Sequence, residues 1–490
     1  MDRARETHPS PVSAAFQPVT VRGPAETPPL HMLLATMDAD GSRKWIAPTL
    51  STGAWWKRRR VVAWVLIALY ATTPFLTWRG APLVQFDIPG RRLLFFGTVL
   101  RPTDTAILAL LTLSVFVAIF LLTAVLGRVW CGWACPQTVY LEFVYRPLER
   151  LFIGDRGSAV RRKATGMRIA LLALAYLLVS AHLANTFVAW FVGALPLSHW
   201  IFQSPANHPV AFTTFALLTS AMLFLFAYFR EQLCSLVCPY GRFQSALLDR
   251  GSMIVGYDAL RGEPRGRKGT TTGQCVDCSM CVRTCPTGID IRRGLQLECV
   301  QCTQCIDACD QVMHTLRLPT GLIRYGSQDS FERTPPKRVR LRLVAYPIVL
   351  LALIAGVVTL IATRTPLAVT QLRVQDQRFV VRGDEVRTPI RIRVDNRHAE
   401  SVTVTIDAAA PARLEHPITL TVPSFGSVDG ALSVVSQLDQ FVGGRRTVTL
   451  HADTGSLKHE ASITVLGPLS LPPRTAGGSA SEAQSGGASR

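Results

Sequence analysis

The chain has 490 residues, 48% of them hydrophobic and only 17% charged, with a formal net charge of +19. That length suggests about three units, and so little charge is poor for a freely soluble protein. The basic excess forms no aromatic-interleaved patch but clusters beside long apolar runs, which points to a membrane and away from nucleic acid.

In chain order, residues 1–30 are rich in Pro, Ser and charge, and residues 1–54 read as a mostly disordered cytoplasmic N-terminal tail. The first apolar run begins too late for a cleavable signal peptide. Lys57-Arg58-Arg59-Arg60 abuts the run Val61–Trp78, and further uncharged runs follow at Thr105–Leu126, Ile169–Val192, Val210–Phe229 and Leu343–Thr363. Each is about long enough to cross a ~30 Å hydrocarbon core, so five transmembrane helices are expected, with Pro74 and Pro347 near helix ends. The loop between the second and third runs carries Arg146, Arg150, Arg156, Arg161, Arg162 and Lys163, whereas 193–209 has no Lys or Arg. The loop with Arg79, Arg91, Arg92 and Arg101 is a partial exception. The balance of Lys and Arg places the N-terminus and the segment before the fifth run in the cytoplasm, with the C-terminus outside.

That segment holds eight of the 12 cysteines. Cys275, Cys278, Cys281 and Cys285 form one Cys-x2-Cys-x2-Cys-x3-Cys run, and Cys299, Cys302, Cys305 and Cys309 form a second. In such paired runs three thiolates wrap one [4Fe–4S] cube and the fourth reaches across to its neighbour. The expected sets are Cys275, Cys278, Cys281 with Cys309, and Cys299, Cys302, Cys305 with Cys285. Thiolates also suit zinc, but a zinc ribbon spaces two Cys-x2-Cys knuckles widely, whereas here a third Cys follows at once in both halves. Two clusters in a reducing compartment, and hence electron transfer, are the expectation.

The other four cysteines lie in two Cys-x3-Cys-Pro motifs, Cys131 to Pro136 after the second run and Cys234 to Pro239 after the fourth. If each helix continues, positions i and i+4 share a face, and the two motifs together would form a four-thiolate site for Cu(I), Zn(II) or iron–sulfur. The recurrence reads as a loose internal duplication of a two-helix unit. The competing reading is that buried Cys behaves as a small apolar residue. No Cys-x-x-Cys-His occurs, which excludes c-type haem. His182 and Asn185 fall within the third run, where polar residues draw functional hypotheses, although a lone His there is more often a packing residue; His199 and His208 read as loop residues. Beyond residue 366 the texture changes to alternating strands such as 390–394, 402–406 and 447–450, with turn signals at Asp395-Asn396 and Gly443-Gly444. About seven such strands in 100 residues suggest an all-β immunoglobulin-like sandwich, and residues 468–490 a disordered tail.

Several stretches in combination resemble the CcoG family, also called FixG or RdxA. They are Gly127-Arg128-Val129-Trp130-Cys131-Gly132-Trp133-Ala134-Cys135-Pro136-Gln137, Arg230-Glu231-Gln232-Leu233-Cys234, Cys238-Pro239-Tyr240-Gly241-Arg242, Phe86-Asp87-Ile88-Pro89-Gly90-Arg91 and Tyr257-Asp258-Ala259. The likeness covers roughly residues 40–470. It implies a multi-domain membrane protein of the bacterial inner membrane: four transmembrane helices in 55–250, a cytoplasmic dicluster ferredoxin segment in 251–340, a fifth helix in 341–365 and a periplasmic immunoglobulin-like domain in 366–467. It further implies a cupric reductase, converting Cu(II) to Cu(I) for a cbb-type oxidase, with Cys131, Cys135, Cys234 and Cys238 as copper ligands and catalytic residues. Oxidase subunits or copper chaperones and a cytoplasmic electron donor would be partners. The motifs could meet within one chain or between protomers of a homodimer. A rival reading is a quinol-linked relay resembling the membrane ferredoxins of periplasmic nitrate reduction, with Phe86, Asp87 and Arg91 bordering a quinone pocket. A third is a scaffold that docks an oxidase subunit. Asp310 departs from the Pro that often follows the fourth Cys of dicluster ferredoxins.

Overall fold

The computed structural model describes residue 36 and residues 42–78, 81–154, 165–266, 272–335, 340–372, 379–397, 400–455 and 458–469. The expected tails 1–30 and 470–490, and the basic positions 156–163, lie outside the described residues. The chain divides into two compact units, one carrying the helices and the cysteines, the other formed mainly by residues beyond 362.

In the first unit, helix α1 spans Ala54–Thr72. It begins before the expected run and takes Lys57 to Arg60 into its opening turns. It stops short of Pro74, which opens a separate 3-10 turn, a place where its missing N–H costs nothing. Among the described residues four helices, α1 not among them, are long and apolar enough to cross a membrane, where five runs are expected: α2 (Thr105–Leu126), α3 (Gly166–Val192), α4 (Pro209–Leu223, extended by π-type turns to Phe229) and, later in the chain, Leu341–Ala362. No more than 28% of any of them is buried, so their apolar flanks require an apolar surrounding. Pro347 lies within the last of these helices, in its second turn. Between α1 and α2 a hairpin pairs β1 (Val84–Asp87) with β2 (Arg92–Phe95), and there Asp87 engages Arg92 at 2.7 Å.

The cysteine-rich segment is framed by a two-stranded sheet, β3 (Ile254–Tyr257) with β4 (Ile323–Gly326), and by helix α5 (Gln304–Thr315). Val255, Tyr257, Ile289, Ile291, Ile306, Met313 and Ile323 make its core together with the thiols themselves. Residues 42–53, at the end of the expected tail, are packed on this segment. Thr49 N–H donates to Arg283 O at 3.0 Å and Thr49 O accepts from Thr284 Oγ1 at 2.8 Å, and Ser51 N–H donates to Gln304. Asp307 of α5 accepts from the N–H groups of Trp55 and Trp56 at 3.1 and 2.7 Å, capping α1 from another element. Helix α6 is Leu341–Ala362.

The second unit is two antiparallel sheets around one core. Its strands are β5 (Leu367–Leu372), β6 (Val380–Arg382), β7 (Glu385–Asn396), β8 (Val402–Ala408), β9 (Arg413–Leu414), β10 (Ile418–Val422), β11 (Ser427–Gln437), β12 (Arg445–Asp453) and β13 (Lys458–Leu466). One sheet runs β9-β11-β7-β5 with β6 beside β7; the other runs β10-β8-β12-β13. Alternate residues Ile390, Ile392 and Val394 of β7 face Val404, Ile406, Leu450 and Val465 in the core, the period-2 pattern of a half-buried strand. Nine strands are described where about seven are expected. Asp395-Asn396, expected as a turn, instead ends β7, and the Asn396 amide donates to the carbonyls of Glu400, Val422 and Pro423. Gly443 and Gly444 both take positive φ, as a turn there requires.

Beside the second Cys-x3-Cys-Pro motif, buried charges form a network. Arg146 contacts Glu142 at 2.6 Å and Glu231 at 3.6 Å, Arg43 reaches Glu231 at 3.8 Å, and Arg230 reaches Glu149 at 3.1 Å. Burial would raise the Glu142 carboxyl, but Arg146 and Arg59 outweigh it and hold it below the usual range. A depressed folded-state pKa gives stability that is present above the ordinary Glu value of about 4.3 and lost as pH falls through the folded value. Glu142→Gln is therefore expected to lower stability at neutral pH by about 3 kcal/mol and to flatten the acid limb of the stability curve. Denaturant unfolding of the detergent-solubilised protein between pH 7 and pH 2 measures both effects.

Candidate functional site

The eight clustered cysteines gather around two cavities. One, with about 370 Å³ of empty space, is lined by Cys275, Cys278, Cys281 and Cys309 together with Tyr257, Arg292 and Met313. The other, about 340 Å³, is lined by Cys285, Cys299, Cys302 and Cys305, with Cys281 at its edge. The fourth cysteine of each run thus stands at the other run's cavity, as the paired spacing leads one to expect.

The two loops share a backbone pattern. Asp277 and Ser279 in the first, and Gln301 and Thr303 in the second, all have φ between 51° and 63°. These are the residues two and four places after the leading Cys of each run, Cys275 and Cys299. Left-handed residues interleaved with ordinary ones turn successive N–H groups to one side and make an anion-binding concavity. None of the four is Gly, so each conformation costs about 1–2 kcal/mol, strain of the kind found at binding loops.

Burial pushes Cys281 and Cys299 up to about 11, Cys302 and Cys309 up to about 12, and Cys305 well above its ordinary value. At neutral pH these free thiols keep their protons until a metal displaces them. Among the described residues, no three His, Cys, Asp or Glu side chains are grouped tightly enough to hold a single metal ion. A zinc site would need thiols about 3.8 Å apart to make bonds of about 2.3 Å. Thiols spread around a cavity instead fit a larger polynuclear group, and the residues present suit iron–sulfur clusters.

The two Cys-x3-Cys-Pro motifs differ from the expectation of continuous helices. Cys131 lies in the short helix Val129–Trp133, which ends there, and Cys135 is extended (φ −61°, ψ 126°) before a new helix opening at Pro136. Cys234 lies in the π-type turn Leu233–Val237, and Cys238 is likewise extended (φ −62°, ψ 113°) before Pro239. Proline excludes the helical conformation from the residue before it, so the two thiols of a motif do not sit one turn apart on a single helix.

The duplication itself extends to individual hydrogen bonds. Cys135 N–H donates to Trp130 O and Cys238 N–H to Leu233 O, both at 2.8 Å and both spanning five residues. Four residues before each leading Cys the chain makes the same bend, at Gly127 (φ 63°, ψ −130°) and at Arg230 (φ 46°, ψ −123°). Cys234 lies within electrostatic reach of the other three thiols. Burial raises the Cys234 thiol, and Cys135, Cys131 and Cys238 raise it further; burial raises Cys135, with Cys238 adding to the effect.

The first motif meets the loop that lines the second cavity. A Cβ on Gly132 would stand 2.5 Å from Val300 O and 2.8 Å from Gln301 O, so the motif's backbone touches the loop between Cys299 and Cys302. Trp133 Nε1 donates to the Tyr325 hydroxyl at 3.1 Å, and that hydroxyl donates to Gln301 O at 3.3 Å. Arg59 Nε donates to Gly132 O at 2.9 Å while its Nη1 donates to Cys302 O at 2.7 Å. Arg128 donates to Leu297 O and, at 2.8 Å, to Gly241 O, and lies within the electrostatic reach of both Cys131 and Cys299.

Residues 229–328 match the family model described as "4Fe-4S dicluster domain", and residues 108–154 match a "4Fe-4S binding domain". The chain is 36% identical to Protein RdxA of Cereibacter sphaeroides over 413 residues, 79% of this chain and 86% of the relative. The chain belongs to the FixG/RdxA family. Protein RdxB of the same organism is 32% identical, with 82% of this chain and 89% of the relative covered. The nitrogen fixation protein FixG of Rhizobium meliloti is 35% identical over 59% of this chain and 58% of its own length. Membership, the dicluster match and the thiol-lined cavities make the chain an iron–sulfur electron-transfer protein with membrane-length helices.

His182 and Asn185 line a separate cavity with Trp200, Gln203 and His208, where the His208 ring stacks on Trp200 at 4.1 Å and meets Gln203 at 2.9 Å. Sequence reasoning missed Arg59, taken there as one of four topology-setting charges, and Gly132, whose role is visible only from the loop it meets. Gly132→Val is expected to push the two loops apart, lowering stability by about 1–3 kcal/mol and reducing iron retention. Unfolding midpoints and iron-to-protein ratios read the two effects.

Proposed function

We propose that the chain is a multi-pass protein of the bacterial inner membrane that reduces Cu(II) to Cu(I) for assembly of a cbb-type oxidase. In this reading α1 is a fifth span, the cluster segment is cytoplasmic, and the C-terminal sandwich is a periplasmic immunoglobulin-like module. The ligand sets are Cys275, Cys278, Cys281 with Cys309, and Cys299, Cys302, Cys305 with Cys285. The clusters, when bound, supply one-electron carriers between a cytoplasmic donor and the substrate. Cys131, Cys135, Cys234 and Cys238 bind copper, which gains one electron and becomes the ion that thiolates hold best.

One observation carries this reading: the backbone of the first Cys-x3-Cys-Pro motif meets the loop that lines the second cluster cavity, and the thiols of both motifs act on one another electrostatically. Soft ligands beside an electron carrier are what a copper-reducing site needs. No side chain has to move a proton to the metal, and the thiols release their own protons as copper binds. The extended residue before each Pro separates the thiols of a motif, so capture by a pair, with the other pair closing afterwards, suits the geometry better than a preformed four-thiolate cage.

A quinol-linked relay is the second reading, and the cavity beside His182 and Asn185 is the feature that favours it. It lies at the opposite ends of the helices, however. From Ala211 at its wall to Phe229 is 18 residues of helix, roughly 27 Å at about 1.5 Å per residue. That separation from the thiols makes direct delivery of electrons poor, and copper reduction is preferred.

Cys131→Ala with Cys135→Ala is expected to reduce Cu(II) reduction to background while iron content and the iron–sulfur spectrum stay at wild-type levels. Anaerobic copper titration with a Cu(I)-specific chelator measures this. Retained activity in that variant would move the copper site elsewhere, and cluster reduction by quinol without any copper response would favour the relay.

A further inference from the structure

Arg59 is 1% exposed, and a buried guanidinium is costly unless an anion compensates it. Its surroundings supply no such anion at close range. Among the described residues no carboxylate lies within ion-pair distance of it. Glu142 is the nearest candidate, but its carboxylate is bonded to Arg146 at 2.6 Å. Asp307 also faces it, with both oxygens occupied by the Trp55 and Trp56 N–H groups. The Phe143 ring lies 5.5 Å from the guanidinium carbon. Two of its donors go to uncharged carbonyls, those of Gly132 and Cys302. The Cys302 carbonyl belongs to the loop that lines the second cavity, and Arg59 acts electrostatically on the Cys302 thiol.

The first cavity is served differently. Its wall carries Arg292, but that guanidinium is bonded to Asp290 at 2.8 Å and paired with Asp277. Its charge is neutralised where it stands. One cavity therefore faces a cation paired with carboxylates, and the other a cation whose hydrogen bonds go to uncharged carbonyls and which Glu142 and Asp307 reach only at longer range.

We propose that Arg59 is the counter-ion of the cluster held by Cys285, Cys299, Cys302 and Cys305, and that its charge makes this the higher-potential cluster of the two. Reduction adds one negative charge to a cluster whose ligands are all anionic, and a fixed cation beside it favours that reduced form. The electron is thereby drawn to the cavity that adjoins the Cys131 and Cys135 loop, and Arg59 ties that loop to the same carbonyl-lined wall. The inference rests on the assignment of clusters to the two cavities, but not on copper as the acceptor.

The test is a dithionite titration followed by electron paramagnetic resonance on the full-length protein in detergent, with Arg59→Gln and Arg59→Lys. Gln removes the charge while keeping amide donors; Lys keeps the charge and loses the fork. Arg59→Gln is expected to make reduction of the higher-potential cluster about tenfold less favourable, a fall of about 59 mV for a one-electron couple, with the other cluster unmoved. Arg59→Lys is expected to stay near wild type. Loss of iron from Arg59→Gln alone, with Arg59→Lys loaded and normal, also supports a counter-ion. Equal potentials in all three proteins, a shift confined to the lower-potential cluster, or equal loss of iron from both variants would overturn the proposal. A wild-type protein lacking two reducible clusters would instead overturn the cluster assignment itself.

Discussion

The contact on which the rest depends is the seating of the Trp130–Cys135 backbone against Val300 and Gln301. It needs a residue without a side chain, Gly132, because two carbonyls come within 3 Å of where a Cβ would stand. It also needs Arg59 to satisfy carbonyls from both sides at once. Backbone groups shut away from water must find partners, so a cation with several donors suits this seam better than an apolar side chain. Two chemically distinct sets of thiols become parts of one assembly through this seam.

Around it the chain uses the same device twice. In each Cys-x3-Cys-Pro motif a positive-φ bend ends the preceding helix, a five-residue turn carries the leading Cys, and a prolyl residue fixes the second Cys in an extended conformation. The cluster loops repeat another device, left-handed residues two and four places after the leading Cys. Both repeats are of local geometry rather than of whole domains. What the repeated pieces accomplish together comes from the buried arginines that join them, and those are not repeated.

Much of this was legible in the sequence. The paired Cys-x2-Cys-x2-Cys-x3-Cys runs lead one to expect each fourth cysteine beside the other run, and the structure places Cys309 and Cys285 in that way at the two cavities. Long apolar runs located the membrane-length helices, and alternation located β7, β8 and β12. Three features were not legible, each for a physical reason. Arg59 lies in a run of four cations, and charge patterning cannot tell a buried one from its solvated neighbours. The break inside each Cys-x3-Cys motif follows from Pro136 and Pro239, a signal that was present but outweighed by the attraction of i and i+4 spacing. The packing of Thr49 and Ser51 on Arg283 and Gln304 leaves no periodic trace, because an extended segment held through its backbone shows no amphipathic pattern.

The cap that Asp307 places on α1 joins two distant stretches of the chain. Asp307 sits between Cys305 and Cys309 on α5, so the opening turn of the Arg-rich helix is held by a carboxylate from the cysteine-bearing segment. A displacement of that segment is therefore felt at the Trp55 and Trp56 N–H groups, and the start of α1 and the second cysteine loop are coupled through one side chain.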